Sequence, residues 1–289
     1  MAISHRLLSW FIFVALSLIW GSSFILMKVG LETLTAYQVA ALRILSAGLF
    51  LLPVAIKQLG KIPKKKLWLV ILSGLSGSFF PAFLFCIAET RIDSALTSIL
   101  NALTPIFTII IGASFFKTSI PRKKITGVLI CFGGLCLLFL SKGKIDLSYI
   151  SYSSLVLLAT ICYGFNANLV HCYLKDIGSL NTAAFSFAFL IIPSFLILYF
   201  SGFFKLPLTN NHYMYSVGAG IILGVLGTAV ASVIFYMLVK RAGIIFTSMV
   251  TYVIPFVAIL WGLLYNEHVT VIDLGCLAII LSGIYTTNK

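Results

Sequence analysis

Polar side chains follow one face of an otherwise apolar stretch, Thr97–Gly112. They are spaced i, i+4, i+7 and i+11, which places them on one side of a helix: Thr97, Asn101, Thr104 and Thr108. Pro105 interrupts the stretch and removes a backbone hydrogen bond, so we predict a helix break there. Hydroxyl and amide groups at this spacing can bind a polar solute along one face of a membrane helix.

A second stretch, Thr247–Gly262, repeats these features 150 residues later. Pro255 is the counterpart of Pro105, and it predicts a second helix break. Polar and aromatic residues at helical spacing also occur in three further apolar runs. The residues that we predict to line one central, substrate-binding cavity are Trp20, Ser23, Thr97, Asn101, Thr104, Tyr163, Asn166, Thr228, Ser232, Tyr236, Thr251 and Tyr252.

Such a lining suits a small zwitterion or a polar metabolite, because the aromatic faces offer cation–π and apolar contacts. The alternative for any single Ser, Thr or Asn is a hydrogen bond between helices, worth about 0.6 kcal/mol. Polar stripes on five separate apolar runs favour a common cavity over isolated packing contacts.

Four charged or titratable residues lie near helix ends or inside an apolar run, and we predict gating or charge-pairing roles for them: Lys28, Arg43, Glu89 and His171. An arginine inside a membrane helix costs a few kcal/mol unless it is paired or reaches the interface. The predicted partner of Arg43 is Glu89 or Glu32. For Lys28 and His171 the alternative is snorkelling of the side chain toward the membrane surface.

The composition is that of an integral membrane protein. Of 289 residues, 61% are hydrophobic and 9% are charged, and the mean hydropathy is +1.12; soluble domains carry about 25% charged residues. The net charge of +13 comes from basic residues in short loops, a pattern of membrane topology rather than of nucleic-acid binding. All seven carboxylates lie in loops or near helix ends, so we predict no catalytic centre, no metal site and no cofactor.

Ten apolar runs are long enough to cross a bilayer, which predicts an all-α polytopic membrane protein with ten transmembrane helices. With the N-terminus inside, fourteen Lys and Arg residues lie on the cytoplasmic side and five outside, so both termini are predicted to be cytoplasmic. The predicted helices are Leu7–Lys28, Tyr37–Lys57, Leu67–Ala88, Ser94–Phe116, Lys124–Ser141, Ile150–Tyr173, Asn181–Ser201, His212–Leu238, Ile244–Tyr265 and Val271–Thr286.

The offset of 150 residues extends beyond the two polar stretches. Gly74 and Gly77 recur as Gly224 and Gly227, and nearer the start an offset of 143 pairs Gly21 with Gly164. Because five helices is an odd number, the second copy enters the membrane from the opposite side. We therefore predict two inverted five-helix repeats, residues 1–145 and 146–289, with a substrate site near the midplane between them.

The sequence Trp20-Gly21-Ser22-Ser23-Phe24 resembles the WGSSF signature of EamA-like drug/metabolite transporters. The segment Ala95–Pro105, followed by a basic loop and a glycine-bearing fifth helix, resembles the same family. In the second half, the run of Pro255, Glu267, Gly275 and Gly283 resembles the end of the family's repeat. The resemblance covers essentially the whole chain and implies ten helices in two halves.

The chain departs from the family pattern at two places. Lys117 stands where the first repeat usually has an acidic residue, which the positive-inside bias explains. The second-half counterpart of the WGSSF signature, Tyr163-Gly164-Phe165-Asn166, is a looser match.

The predicted function is secondary transport of small organic solutes across the inner membrane by alternating access. The resemblance implies amino acids or related metabolites as solutes and efflux as the direction. A carrier of nucleotide sugars or cofactor-like compounds is the alternative, and it would need a more basic cavity. A non-transporting membrane scaffold would bond its polar stripes to one another and leave no cavity. The expected partners are a small-molecule solute and the lipid bilayer; proton or solute counter-transport, and a monomer or a homodimer, stay open.

Overall fold

The structure is a computed structural model that describes residues 2–92, 94–141, 150–208, 210–264 and 271–288. The predicted repeat boundary at residues 145 and 146, and Glu267, lie outside these ranges. Within them the regular secondary structure is entirely helical: α1 (Ala2–Leu31), α2 (Ala36–Lys57), α3 (Leu67–Gly74), α4 (Phe80–Ala88), α5 (Ser94–Asn101), α6 (Thr104–Ser114), α7 (Arg122–Ser141), α8 (Ile150–Tyr173), α9 (Ser179–Phe200), α10 (Asn211–Gly224), α11 (Ala231–Ala242), α12 (Ile244–Ser248), α13 (Val250–Leu264) and α14 (Val271–Asn288), with single helical turns between some of them.

Seven helical segments among the described residues are long and apolar enough to cross a membrane, and Ile244–Val257 and Gly275–Thr287 are shorter apolar helices. Large apolar side chains cover the outer surface of the bundle; Phe11, Trp68 and Phe200 are each more than 60% exposed. A soluble protein rarely exposes so much apolar surface. The chain is therefore a multi-pass membrane protein.

Four of the predicted helices are not continuous α-helices. The third contains a π-helical turn, Leu75–Phe79, between α3 and α4, and the eighth contains another, Val225–Val230, between α10 and α11. π-Helical turns are rare and often mark functional positions. The fourth and ninth are broken, between α5 and α6 and between α12 and α13.

Both breaks lie before the prolines that predicted them. The first covers residues 102–103, so Pro105 falls in the first turn of α6, where a missing amide hydrogen costs no helical bond. The second lies at Met249, and Pro255 is inside α13. The prediction of a break at Pro255 is therefore wrong in position: the chain departs from the helix six residues earlier.

Threonine hydroxyls bond the carbonyl groups that the breaks leave without a helical partner. Thr104 Oγ1 donates to the Asn101 carbonyl at 2.6 Å, and Thr251 Oγ1 donates to the Ser248 carbonyl at 2.9 Å. Because the membrane interior offers no water to bare backbone groups, such bonds make a helix break tolerable there.

Glycines allow the helices around the breaks to approach closely. A Cβ atom at Gly164 of α8 would lie 2.9 Å from the amide nitrogen of Thr108 in α6. A Cβ atom at Gly21 of α1 would lie 2.4 Å from Val257 Cβ in α13. Small residues at helix crossings are the usual means of tight packing in membranes. Elsewhere α2 packs along α9, and α7 packs along α14.

Gly164→Ala is expected to lower the free energy of unfolding by about 1–3 kcal/mol, because the added methyl group meets backbone atoms that cannot rotate away. Gly218→Ala is the matched control, since a Cβ atom there meets nothing within 4 Å. Thermal unfolding in detergent measures both variants. Equal melting temperatures for the two would show that the α6–α8 contact is not tight.

Candidate functional site

One cavity lies among helices from both ends of the chain. The space inside it that is open to the centres of water-sized molecules is about 80 Å³. Nine of the twelve predicted cavity residues line it: Trp20, Ser23, Asn101, Thr104, Tyr163, Asn166, Ser232, Tyr236 and Thr251.

Three predicted residues do not line the cavity, and the structure corrects their placement. Tyr252 is fully buried, and its hydroxyl donates to the Val128 carbonyl of α7 at 3.3 Å. Thr228 lies behind the wall, where its Oγ1 accepts a hydrogen bond from Arg43 Nε at 3.1 Å. Thr97 is fully buried in α5, outside the lining.

The predicted cavity residues leave out the apolar side chains of the wall, and also Gly77 and Ser248. The lining residues outside the predicted set, Arg43 apart, are Phe24, Met27, Gly77, Phe85, Phe235, Ser248 and Ile254. Two signals were available: Met27 follows Ser23 by one helical turn, and Phe85 and Phe235 are separated by the repeat offset of 150. A search for polar groups alone passes over such positions.

The π-helical turn Val225–Val230 takes part in the wall through its backbone. Trp20 Nε1 donates to the Gly227 carbonyl at 3.1 Å. A π-helical turn breaks the regular i→i−4 ladder, so carbonyls near it can accept side-chain donors. This bond fixes the indole at the cavity and ties α1 to the turn.

A buried hydrogen-bond network joins three helices at one end of the cavity. Ser73 Oγ of α3 donates to Asn166 Oδ1 of α8 at 2.7 Å, and it lies 3.1 Å from the hydroxyl oxygen of Tyr236 in α11. All three side chains are buried. The network holds the three helices together beneath the cavity.

The same three helices are joined a second time farther along. Lys66 Nζ forms an ion pair with Asp176 Oδ1 at 2.6 Å and donates to the Tyr173 carbonyl at 3.0 Å. Its hydrogen bond lowers the pKa of Asp176 below the usual range for an aspartate. Lys240, near the end of α11, donates to the Ile177 carbonyl. These contacts lie roughly 10 Å from the Ser73 network along α3, and we call this the Lys66 end.

The opposite end of the cavity holds Arg43 and Glu89. Arg43 lines the cavity, whereas Glu89 directly follows α4. Both carboxylate oxygens of Glu89 are buried and accept no hydrogen bond of normal geometry, although the Ser94 hydroxyl is close enough to influence them. Burial raises the pKa of Glu89 to about 8, against the opposing effects of Ser94 and of the positive charges on Arg43 and Lys28.

The charged residues do not pair as the sequence predicted. Arg43 and Glu89 form no direct ion pair. Arg43 instead donates a hydrogen bond to the hydroxyl group of Thr228, in the π-helical turn between α10 and α11. Lys28 is exposed at the end of α1, and the Nδ1 atom of His171 is buried without a hydrogen-bond partner near the end of α8. Neither Lys28 nor His171 lines the cavity.

The sequence pattern of the EamA-like transporter family matches this chain twice, over residues 7–140 and 150–289. The chain belongs to the EamA-like transporter family. The family expected from the WGSSF resemblance is confirmed.

Known relatives agree with this assignment. A protein of Salmonella typhimurium described as a probable amino-acid metabolite efflux pump is 32% identical over 129 residues, which covers 44% of this chain but only 42% of that relative. The uncharacterized transporter YoaV of Bacillus subtilis is 25% identical over 281 residues, 94% of each chain. A solved crystal structure shares the fold with a TM-score of 0.74 at 14% identity, covering 96% of this chain and 95% of that one.

Ser73→Ala is expected to destabilise the protein more than Tyr236→Phe, because it leaves both Asn166 and Tyr236 without their shared partner. Hydrogen bonds between membrane helices average about 0.6 kcal/mol and reach about 1.7 kcal/mol, so we expect Ser73→Ala to approach the upper value. Unfolding in bicelles measures the difference.

Ser17→Ala is the control for this comparison, since the buried Ser17 hydroxyl bonds only the Phe13 carbonyl of its own helix. A loss for Ser73→Ala no larger than that for Ser17→Ala would mean that the network does not hold the three helices together.

Proposed function

We propose that this protein is a secondary transporter that moves small organic solutes across the inner membrane by alternating access. The observation that carries the proposal is one cavity of mixed polar and aromatic lining, built from helices of both halves and closed by two layers of contacts at the Lys66 end. A transporter of this kind binds its solute between two halves that rock around the site.

Ten transmembrane segments in two inverted five-helix repeats, residues 1–145 and 146–289, form the proposed scaffold. The two separate family matches support this division. So do the element positions: α2 and α9 begin and end 143 residues apart, and the two π-helical turns begin 150 residues apart. Five segments per repeat would insert the second repeat in the opposite sense.

Equivalent glycine contacts in the two halves also support the repeat. Gly77 approaches Asn166, and its counterpart Gly227 approaches Ser23, with Cβ positions 2.1 Å and 2.6 Å from those side chains. The glycines are 150 residues apart and their contact residues 143 apart, as the two sequence offsets require. Chance similarity of apolar helices would not reproduce the same contacts.

The orientation follows from charge. The positive-inside rule places the basic loop beside Lys66, and both termini, in the cytoplasm. The structure then represents a state closed toward the cytoplasm by the Ser73 network and the Lys66–Asp176 ion pair. Opening that side during transport would break both layers, and the two π-helical turns lie where the third and eighth segments would bend.

Amino acids or related metabolites are the proposed solutes, and export is the proposed direction. Relatives from Salmonella typhimurium and Escherichia coli are described as probable amino-acid metabolite efflux pumps, each 32% identical over less than half of the chain. A lining with one cation, Arg43, several hydroxyl and amide groups and aromatic faces suits a zwitterion. Proton or solute counter-transport, and a monomeric or homodimeric state, belong to the same proposal.

Ser232→Phe is expected to reduce transport in proteoliposomes to the level of protein-free liposomes, because the added ring fills the cavity that Ser232 lines. Tyr252→Phe should transport at the wild-type rate, since its hydroxyl faces α7 and not the cavity. Uptake and efflux of radiolabelled L-amino acids and nucleotides, with and without a pH gradient, provide the measurement. Full transport by Ser232→Phe would remove the cavity from the solute path.

A further inference from the structure

We propose that Arg43 binds a carboxylate group of the transported solute. The solute carboxylate and the ionised Glu89 compete for the positive charge of Arg43, so that the solute binds together with a proton on Glu89. This inference rests on the proposed transport function, and it assigns the chemistry of one end of the same cavity. It concerns the charge of the solute and its linkage to protons, and it is independent of the transport direction.

Arg43 has the features of an anion-binding residue. Its Nε–H bond to Thr228 Oγ1 is directed behind the wall, while the residue itself lines the cavity. No carboxylate of the described chain forms an ion pair with it. A guanidinium fixed at Nε can present its terminal nitrogens as a fork, and carboxylates bind such forks through two parallel hydrogen bonds.

The backbone at Arg43 is held in place by α10. A Cβ atom at Gly224 would lie 2.4 Å from the Arg43 carbonyl oxygen and 3.0 Å from its Cα, so the two helices touch at this point. A charged group positioned by a rigid contact loses little freedom when it binds a ligand. Asn101 and Tyr163, which also line the cavity, supply neutral polar groups for the rest of a carboxylate or an amine.

Glu89 is close enough to Arg43 for their charges to interact, yet it is not bound to it. The groups that act on its carboxyl group are Ser94 on α5, Arg43 on α2 and Lys28 on α1; on α4 itself, the buried thiol of Cys86 is influenced by both Arg43 and Glu89. An ionised Glu89 is stabilised first by the Ser94 hydroxyl and then by the positive charges of Arg43 and Lys28. A solute carboxylate on Arg43 would withdraw the contribution of Arg43 and place two negative charges close together, which favours the protonated form of one of them.

The sign of the pH dependence follows. Glu89 has a raised pKa of about 8 in the empty protein, and a bound carboxylate raises it further. Below about pH 7 Glu89 is already protonated, and the affinity for a carboxylate solute should not depend on pH. Above about pH 8 binding must take up a proton, so the affinity should fall, by up to about tenfold per pH unit.

Isothermal titration calorimetry on the purified full-length protein tests the proposal with the twenty proteinogenic L-amino acids and, for every acid that binds, its carboxamide. At pH 7 we expect the acids to bind at least about tenfold more tightly than their amides, the loss expected for one charge-assisted pair. Arg43→Gln should abolish this preference. Arg91→Gln is the matched control, because Arg91 is an exposed arginine just beyond Glu89 and outside the cavity lining.

Titrations between pH 6.5 and 9.5, in buffers of different ionisation enthalpy, measure the linked proton. Because the α-ammonium group of an amino acid titrates in the same pH range, the two proteins are compared: the wild type should take up more protons per solute than Glu89→Gln, whose uptake reports the solute alone. Arg43→Lys keeps the charge without the fork and should bind acids with intermediate affinity, which covers the case in which Arg43→Gln does not fold.

Two results would overturn the proposal. One is equal binding of acids and amides by the wild type; the other is an unchanged preference for acids in both Arg43 variants. If amides or other uncharged solutes bind and are transported in proteoliposomes, the transport function stands and only the carboxylate assignment fails.

Discussion

Close approach of helix backbones at glycine is the contact on which the cavity depends. Apolar side chains drive no association between helices in lipid, so packing has to supply the attraction. Gly164 lets α8 touch the backbone of α6, and Gly21 lets α1 touch α13. These crossings bring the two broken segments against the helices that carry Trp20 and Tyr163. A larger residue at either glycine would push the two helices apart and so displace a wall of the cavity.

The second constraint is the backbone itself. A broken helix inside a membrane must satisfy its own carbonyl groups, and here Thr104 and Thr251 do so while also lining the cavity. Their hydroxyl hydrogens are therefore engaged with backbone oxygens. What they offer a solute is the acceptor side of the oxygen. Donors at this site come from other lining groups, such as the Asn101 amide, the hydroxyls of Tyr163 and Ser232, and Arg43.

Helix limits and most of the cavity lining follow from the sequence, because hydropathy marks the spans and a period of 3.6 residues marks their faces. Which residues of a helix face the cavity could not be predicted beyond a helix break. The interruption at Met249 resets the helical phase, so that Thr251 faces the cavity and Tyr252 faces α7. Likewise, no local pattern indicates that Arg43 bonds Thr228, 185 residues away; that partner is set by how α2 crosses the Val225–Val230 turn.

The two proposed repeats differ in side chains at equivalent positions, and these differences determine the charge of the cavity. Arg43 lies against Gly224, and Ser186, at the corresponding place 143 residues later, lies against Gly74. The contacts are alike, but the side chains are not: one brings a guanidinium to the cavity, and the other donates to the Val70 carbonyl. In the proposed alternating-access cycle, the two halves would therefore move symmetrically around an asymmetrically placed charge. A solute with one anionic end would bind in a single orientation, its charged end toward Arg43 and its remainder toward the Ser73 network.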